Sequence, residues 1–457
     1  MNRSPTPIAL VLATALIASA CSRQEAVFSD VIAFEGARLI VGDGSVIEEG
    51  TLVLNGSRIV AAGSSREVAV PDGVLTVDLS GKTVIPALID VHAHLGYEGY
   101  ESWGAANYSR DNVIEHLERY AYYGFAAVFS AGSDPDDLAL DLQRDQVTGT
   151  VGGARFLFAA GMAPPGQGPN NQFLGHALTV AEETGMTVLR GAATPAEGRE
   201  AVRDVASKGI SFIKIWVDDR GGTQQKLQPE VYRAIADEAR VRGIEVVVHQ
   251  QTAEDMSDLL GAGVSGFLHG RLGQALDRKL AEQIKEAGVF LVPNLGLSEL
   301  RGERVSDDPF LRESTNSDVL RRLEGDFNRR SPNPSGSDQE LARSTSLSRL
   351  SDVGVAIVLG TDAGAIPDHF FGYTGHRELE IFVRLGMTPM QAIMAGTSRA
   401  AESLGLDDLG VLRSGKSADF VVLDRNPLQD IRNTRTISHV YLAGREINRE
   451  ELRDRWN

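Results

Sequence analysis

The stretch "VIPALIDVHAHLG" (residues 84–96) is apolar almost throughout and then ends in His92-Ala93-His94. A short run rich in Val, Ile and Leu fits a strand buried on both faces. In a strand, residues i and i+2 lie on one side, so His92 and His94 present their imidazoles together. A helix would need an HxxxH spacing for the same effect. Two imidazoles at a strand end begin a metal site but do not define one. Seven further runs have the same character: "GFAAVFSAG" (124–132), "ARFLFAAG" (154–161), "ISFIKIWV" (210–217), "IEVVVHQ" (244–250), "VSGFLHG" (264–270), "VFLVPNLG" (289–296) and "VAIVLGTDAG" (355–364). Helical patterns such as "QPEVYRAIADEARVRG" (228–243) and "TAEDMSDLLGAG" (252–263) separate them. Eight alternating βα units predict an α/β protein built on a (β/α)8 TIM barrel.

Polar residues recur where these runs end. Lys214 closes the fourth run, His249 the fifth, His269 the sixth and Asp362 the eighth. Barrel enzymes place their chemistry at that end of the strands. A buried lysine is costly without a partner, so Lys214 needs a reason to be there. With His92 and His94, these residues form a converging ligand set. Asp90 shares the face of His92 but lies deeper, which suits a supporting role better than ligation.

The ends of the chain read differently. "VIAFEGARLIVGDGSVIEEGTLVLNGSRIVAAG" (31–63) alternates apolar and polar residues around Gly and Asn-Gly turns, which is hairpin chemistry. "GVLRSGKSADFVVLDRNPLQDIRNTRTISHVYLAGREI" (410–447) has the same texture. The expected organisation is a β-sandwich assembled from 29–85 and 405–457 around a barrel over 86–404. The last barrel helix starts legibly, with Thr388 as N-cap, Pro389 at N1 and Gln391 as capping-box partner. A charged excursion over 298–346 follows the seventh strand and reads as an insertion that partly covers the barrel mouth.

With 457 residues, the chain suits one large barrel plus a smaller unit. Its net charge of −17 argues against a nucleic-acid partner, since phosphate binding needs a basic surface. The first residues, "MNRSPTPIALVLATALIASACS", combine a basic start, an apolar stretch too short to span a membrane and small residues before Cys21, the only cysteine. This predicts a lipoprotein-type signal over 1–21, a tether over 22–28, and an exported protein, periplasmic or anchored by lipid at Cys21. Ordinary cleavage near Ala20, with Cys21 incidental, is the alternative.

"VIPALIDVHAHL", "LGTDAG" (359–364), "GHRELEIFVRLGMTPMQAIMAGTSRAAESLGL" (375–406) and "GVLRSGKSADFVVLDRNPLQDI" (410–431) together resemble the amidohydrolase superfamily. The branch is that of imidazolonepropionase-like proteins and Xaa-Pro dipeptidases, and the likeness covers nearly the whole mature chain. Ala87 stands where that family usually has glycine. The resemblance implies two divalent ions, zinc by type. His92, His94 and Asp362 would hold one, His249 and His269 the other, and a carboxylated Lys214 would bridge them. It also implies a metal-bridging hydroxide that attacks a carbonyl, with Asp362 as general base and then general acid. The activity implied is hydrolysis of amide or peptide bonds in small substrates, by a dipeptidase or an N-acyl-amino-acid hydrolase. The same site could serve a lactone, a cyclic imide or a phosphotriester. A non-catalytic binding protein on this fold is a further alternative, though all six ligand positions are retained. A homo-oligomer is compatible with the sequence.

Three more residues are candidates for substrate contact. His176, in "NNQFLGHAL", resembles a family histidine that helps hold substrate. His376 begins a helix after the eighth strand, and Tyr97 follows the histidine pair. His116, His369 and His439 have no ligand context.

Overall fold

The computed structural model describes Met1 and residues 30–169, 171–269, 275–329 and 337–457. Cys21 and the tether lie outside the described residues. The N-terminal part forms strands β1 (Val31–Ile40), β2 (Val46–Asn55), β3 (Arg58–Ser64), β4 (Leu75–Asp78) and β5 (Thr83–Pro86). The middle contributes β6 (Leu88–Ala93), β7 (Phe125–Ala131), β8 (Arg155–Ala163), β9 (Leu189–Gly191), β10 (Phe212–Val217), β11 (Glu245–Gln250), β12 (Gly266–Leu268) and β13 (Phe290–Val292). The C-terminal part adds β14 (Phe420–Leu423), β15 (Ile437–Leu442) and β16 (Arg445–Glu446).

The two ends share one sheet, ordered β16-β15-β14-β5-β1-β2-β3, with β4 alongside β1. The junction is the antiparallel pair β5–β14, with Val84 opposite Val422. Its core joins residues from far apart in the chain. Phe34 of β1 meets Phe420 of β14 and Tyr441 of β15 edge-on, with ring centroids 5.3 and 5.1 Å apart. Such pairs add about 0.5–1.5 kcal/mol each beyond burial, so the C-terminal strands hold the N-terminal ones in place. The β2–β3 hairpin turns through Gly56-Ser57, with Asn55 opposite Arg58 and Gly56 at φ +55°.

The middle forms a parallel sheet in the order β13-β12-β11-β10-β8-β7-β6, rolled into a barrel. Every residue of β7 and β10 is buried, as expected of strands covered on both faces. The structure refines the strand reading in three places. The run containing His92 is two strands, because Ala87 N bonds to Asp419 O in the terminal sheet while Leu88 N bonds to Gly124 O in the barrel. A short β9, not anticipated, pairs with β8. The eighth run closes the barrel without forming a regular strand. Isolated bridges join Leu291 to Ile357 and Ala93 to Ala363. Leu359 N instead bonds to Ala395 O, and Asp362 sits at φ +61°, so the ladder is interrupted.

Thr388 and Gln391 form the expected reciprocal capping box on the helix Pro389–Ala395. The 298–346 excursion is more than a solvated insertion. Phe310, Leu311, Val319 and Leu323 are buried. Arg322, on the helix Ser317–Arg329, pairs with Asp368 at 2.7 Å and donates to Tyr100 O. It thereby ties the excursion to two adjoining loops, one after β6 and one after the closing segment, which also bond to each other through Asp368 N and Glu98 Oε2. Among the described residues no helix is long and apolar enough to cross a membrane.

Candidate metal centre

The ends of β6 and of the closing segment bring His92, His94 and Asp362 together. Asp362 Oδ1 lies 3.3 Å from His92 Nε2 and 3.1 Å from His94 Nε2. All three residues are buried, and one ligand atom of each lies within 4.8 Å of the others. Ligands about 2.1 Å from a tetrahedral zinc stand about 3.4 Å apart, so this spacing fits an ion. The rings are aimed by their other nitrogens. His92 Nδ1 meets Asn294 Oδ1 at 3.0 Å, and His94 Nδ1 meets Ser133 Oγ at 2.7 Å. Both Nε2 atoms therefore face Asp362. Asp362 Oδ1 is buried and accepts no well-aligned hydrogen bond. That is an expensive arrangement unless a cation completes it.

The remaining candidates flank this trio. Lys214 Nζ lies 3.4 Å from His92 Nε2. His269 Nε2 lies 3.8 Å from Asp362 Oδ2, and the His269 ring packs at 4.8 Å from His92 and 4.4 Å from His249. His249 sends its Nε2 to Asp218 Oδ2, 3.0 Å away. Gly132 makes room for Lys214, since a Cβ there would come within 2.8 Å of the lysine Cβ. Three non-glycine residues around the site hold left-handed backbones: His269 at φ +84°, Asn294 at φ +49° and Asp362 at φ +61°. Such conformations gather at functional sites, where surrounding structure enforces them.

The charges are unusual for a buried cluster. Burial opposes ionisation of Asp362, yet the facing His92, His269 and His94 hold it well below the usual carboxylate range. Burial and the nearby Lys214 keep His92 neutral, so its lone pair is available to an ion. Burial also brings the Lys214 amine down to about 7, against the pull of Asp362 and with help from Arg220. Carbon dioxide adds only to a neutral amine, releasing a proton as the carbamate forms. The donor set and its protonation therefore fit a divalent metal centre.

Asp90 has the supporting role its depth suggested. It accepts from His92 N, Thr361 N, Thr361 Oγ1 and Tyr120 OH, at 3.1, 3.1, 2.6 and 2.7 Å. It thus joins the strand of His92 to the segment carrying Asp362. His116 and His369 brace loops: His116 Nδ1 accepts from Gly96 N, and His369 Nε2 meets Thr361 O.

Two substrate-contact expectations need correction. His376 lies near the start of β7, at the opposite end of the barrel from His94. Its Nδ1 meets Thr434 Oγ1 at 3.0 Å and its Nε2 meets Tyr123 O at 2.8 Å, so neither nitrogen is left for a substrate. Tyr97 is fully buried; its hydroxyl donates to Ser133 O and its ring packs on Phe173. It supports the site wall and does not line an open mouth. His176 is half-buried. Its Nδ1 accepts from Ala105 N at 3.0 Å and its ring packs against Trp103, which neighbours Phe173 beside His94.

His376 carries a stability prediction. Burial, with Arg435 and Arg449 nearby, lowers its pKa from 6.5 to about 3. The unfolded chain therefore takes the proton first. The stabilisation is complete above about pH 6.5 and is lost toward pH 3, at about 1.4 kcal/mol per pH unit. Denaturant unfolding between pH 7 and 5 should show a shallower pH slope for His376→Gln than for the unsubstituted protein. Equal slopes would refute this origin.

Sequence reasoning did not single out Asn294, Ser133 or Asp218, the residues that hold the rings of His92, His94 and His249. Asp218 in "WVDD" directly follows a barrel strand and Asn294 in "VPNLG" stands two residues after one, which was the available signal.

The Amidohydrolase family model matches residues 83–447, and the chain belongs to this family, whose members include hydrolases of carbon–nitrogen bonds. The chain is 25% identical over 443 residues to the ochratoxinase of Aspergillus niger, covering 89% of this chain and 84% of the relative. It is 26% identical over 405 residues to the imidazolonepropionase of Streptomyces griseus, covering 88% and 89%. A solved Xaa-Pro dipeptidase with methionine bound in its active site shares the fold, with a TM-score of 0.70 and 24% identity over 91% of this chain and 99% of that one.

Proposed function

We propose that this protein is a metal-dependent hydrolase of amide or peptide bonds in small substrates, of the dipeptidase or N-acyl-amino-acid hydrolase type. The observation that supports it most is the inward convergence of His92 Nε2, His94 Nε2 and a buried Asp362 oxygen, beside a buried lysine. In this reading His92, His94 and Asp362 would hold one ion, His249 and His269 would hold a second, and Lys214 as a carbamate would supply an anionic oxygen to each. Bound divalent ions would supply Lewis acidity toward the carbonyl and acidify a water. Asp362 would take a proton from the attacking water and deliver it to the leaving nitrogen, so that the amine departs neutral. Half-buried His176 supports the idea of a substrate contact at the wall of the site. The leader-like segment ending at Cys21 supports action outside the cytoplasm.

The test is metal analysis and a substrate screen on protein grown with ample zinc and bicarbonate. Zinc content should approach two equivalents, and some dipeptides or N-acyl amino acids should be turned over. A clean single equivalent, unaffected by Lys214→Ala, would mean a mononuclear centre. Turnover of a lactone or phosphotriester with no amide cleaved would reject the proposed bond class.

A further inference from the structure

β10 and β11 run parallel, with Trp216 opposite His249 and Val217 opposite Gln250. Asp218, the next residue, therefore emerges beside the imidazole of His249. Asp218 Oδ2 lies 3.0 Å from His249 Nε2, and the same oxygen lies 2.9 Å from Arg220 Nε. Asp218 Oδ1 accepts from Arg220 N at 2.9 Å, and Arg220 turns back over the carboxylate at φ +53°. The three side chains are 6%, 5% and 16% exposed for His249, Asp218 and Arg220. This is a fixed, water-poor cluster, unlike a surface ion pair.

We infer that Asp218, clamped by Arg220, is a positioning residue that fixes the imidazole of His249 at the metal centre. The inference rests on the reading of His249 as a ligand. A ring nitrogen that faces a carboxylate carries the proton, which leaves the lone pair on the other nitrogen. His92 and His94 are bonded the other way round, through Nδ1 to Asn294 and Ser133. The support at His249 is a carboxylate that follows the end of the neighbouring strand.

The experiment is competitive zinc titration of the metal-stripped full chain against a chromophoric chelator, in bicarbonate. Thermal unfolding of the metal-free forms checks the fold. Asp218→Ala should leave the tighter equivalent unchanged and weaken the other about 10–100-fold, the usual effect of losing such a support. Asp218→Ala combined with His249→Ala should bind no more weakly than His249→Ala alone, because both changes act through one ring. Arg220→Gln leaves the carboxylate in place but unclamped. It should weaken the same equivalent by a smaller factor, and it serves if Asp218→Ala does not fold. Equal loss of both equivalents, additive effects in the double variant, or unchanged affinity in Asp218→Ala while His249→Ala is weakened would overturn the inference alone. Zinc binding indifferent to His249→Ala would overturn the ligand reading, and this inference with it.

Discussion

Asp362→Asn is expected to lower kcat by about 10²–10⁴-fold, the usual cost of losing a general acid–base group. KM should change little if Asp362 acts mainly in the transition state. The substitution suits this site for a structural reason. Asp362 holds a left-handed backbone at φ +61°, and asparagine tolerates that region better than most residues. Its amide N donates to His92 O at 2.7 Å, a bond the substitution leaves intact. Asparagine can still offer an oxygen to an ion, but it cannot carry a proton from water to the leaving nitrogen. The fold and much of the metal should therefore survive while turnover collapses. Steady-state kinetics with metal content on one hydrolysed substrate decides the matter. Near-normal turnover at full occupancy would remove Asp362 from the proton-transfer role.

Lys214→Ala should behave differently, losing metal and activity together. Lys214 is fully buried, 3.4 Å from His92 Nε2, on a strand packed between β8 and β11. Removing it deletes the group proposed to bridge the two ions, and it leaves a void lined by the β10 neighbours and Gly132. Small carboxylates such as formate or acetate can enter such a space and offer the same two oxygens. Activity and the second metal equivalent should then return in part, and in proportion. Full metal content in Lys214→Ala without added carboxylate would rule out the bridging role.

The barrel was legible because its strands must be buried on both faces, and only short, almost wholly apolar runs meet that demand. The shared sheet was legible because both ends carry alternating, turn-punctuated strands. The weakest reading was the eighth run. Its residues are strand-like, but Leu359 bonds outward to Ala395 and Asp362 turns left-handed, so regular pairing gives way to the needs of the site. The split at Ala87 was also hidden. An unbroken apolar run does not show where its backbone changes partners.

Among the candidate site residues, those set by position on a strand were found, and those set by distant contacts were not. The i, i+2 spacing of His92 and His94, and the placing of His249, His269 and Asp362 near the ends of three other runs, follow from strand geometry alone, whereas Lys214 lies inside β10. His376 misled because its place after the eighth strand suggested the mouth. Its helix instead packs the ring against Tyr123 and Thr434, at the other end of the barrel. Sequence by itself determined the barrel, the joining of the two ends and the ring of polar strand ends, because periodicity and burial are local properties of the chain. Only the tertiary structure decided how the rings of His92, His94 and His249 are held. That support comes from Asn294, Ser133 and Asp218, whose nearness to His92, His94 and His249 exists only once the barrel has closed.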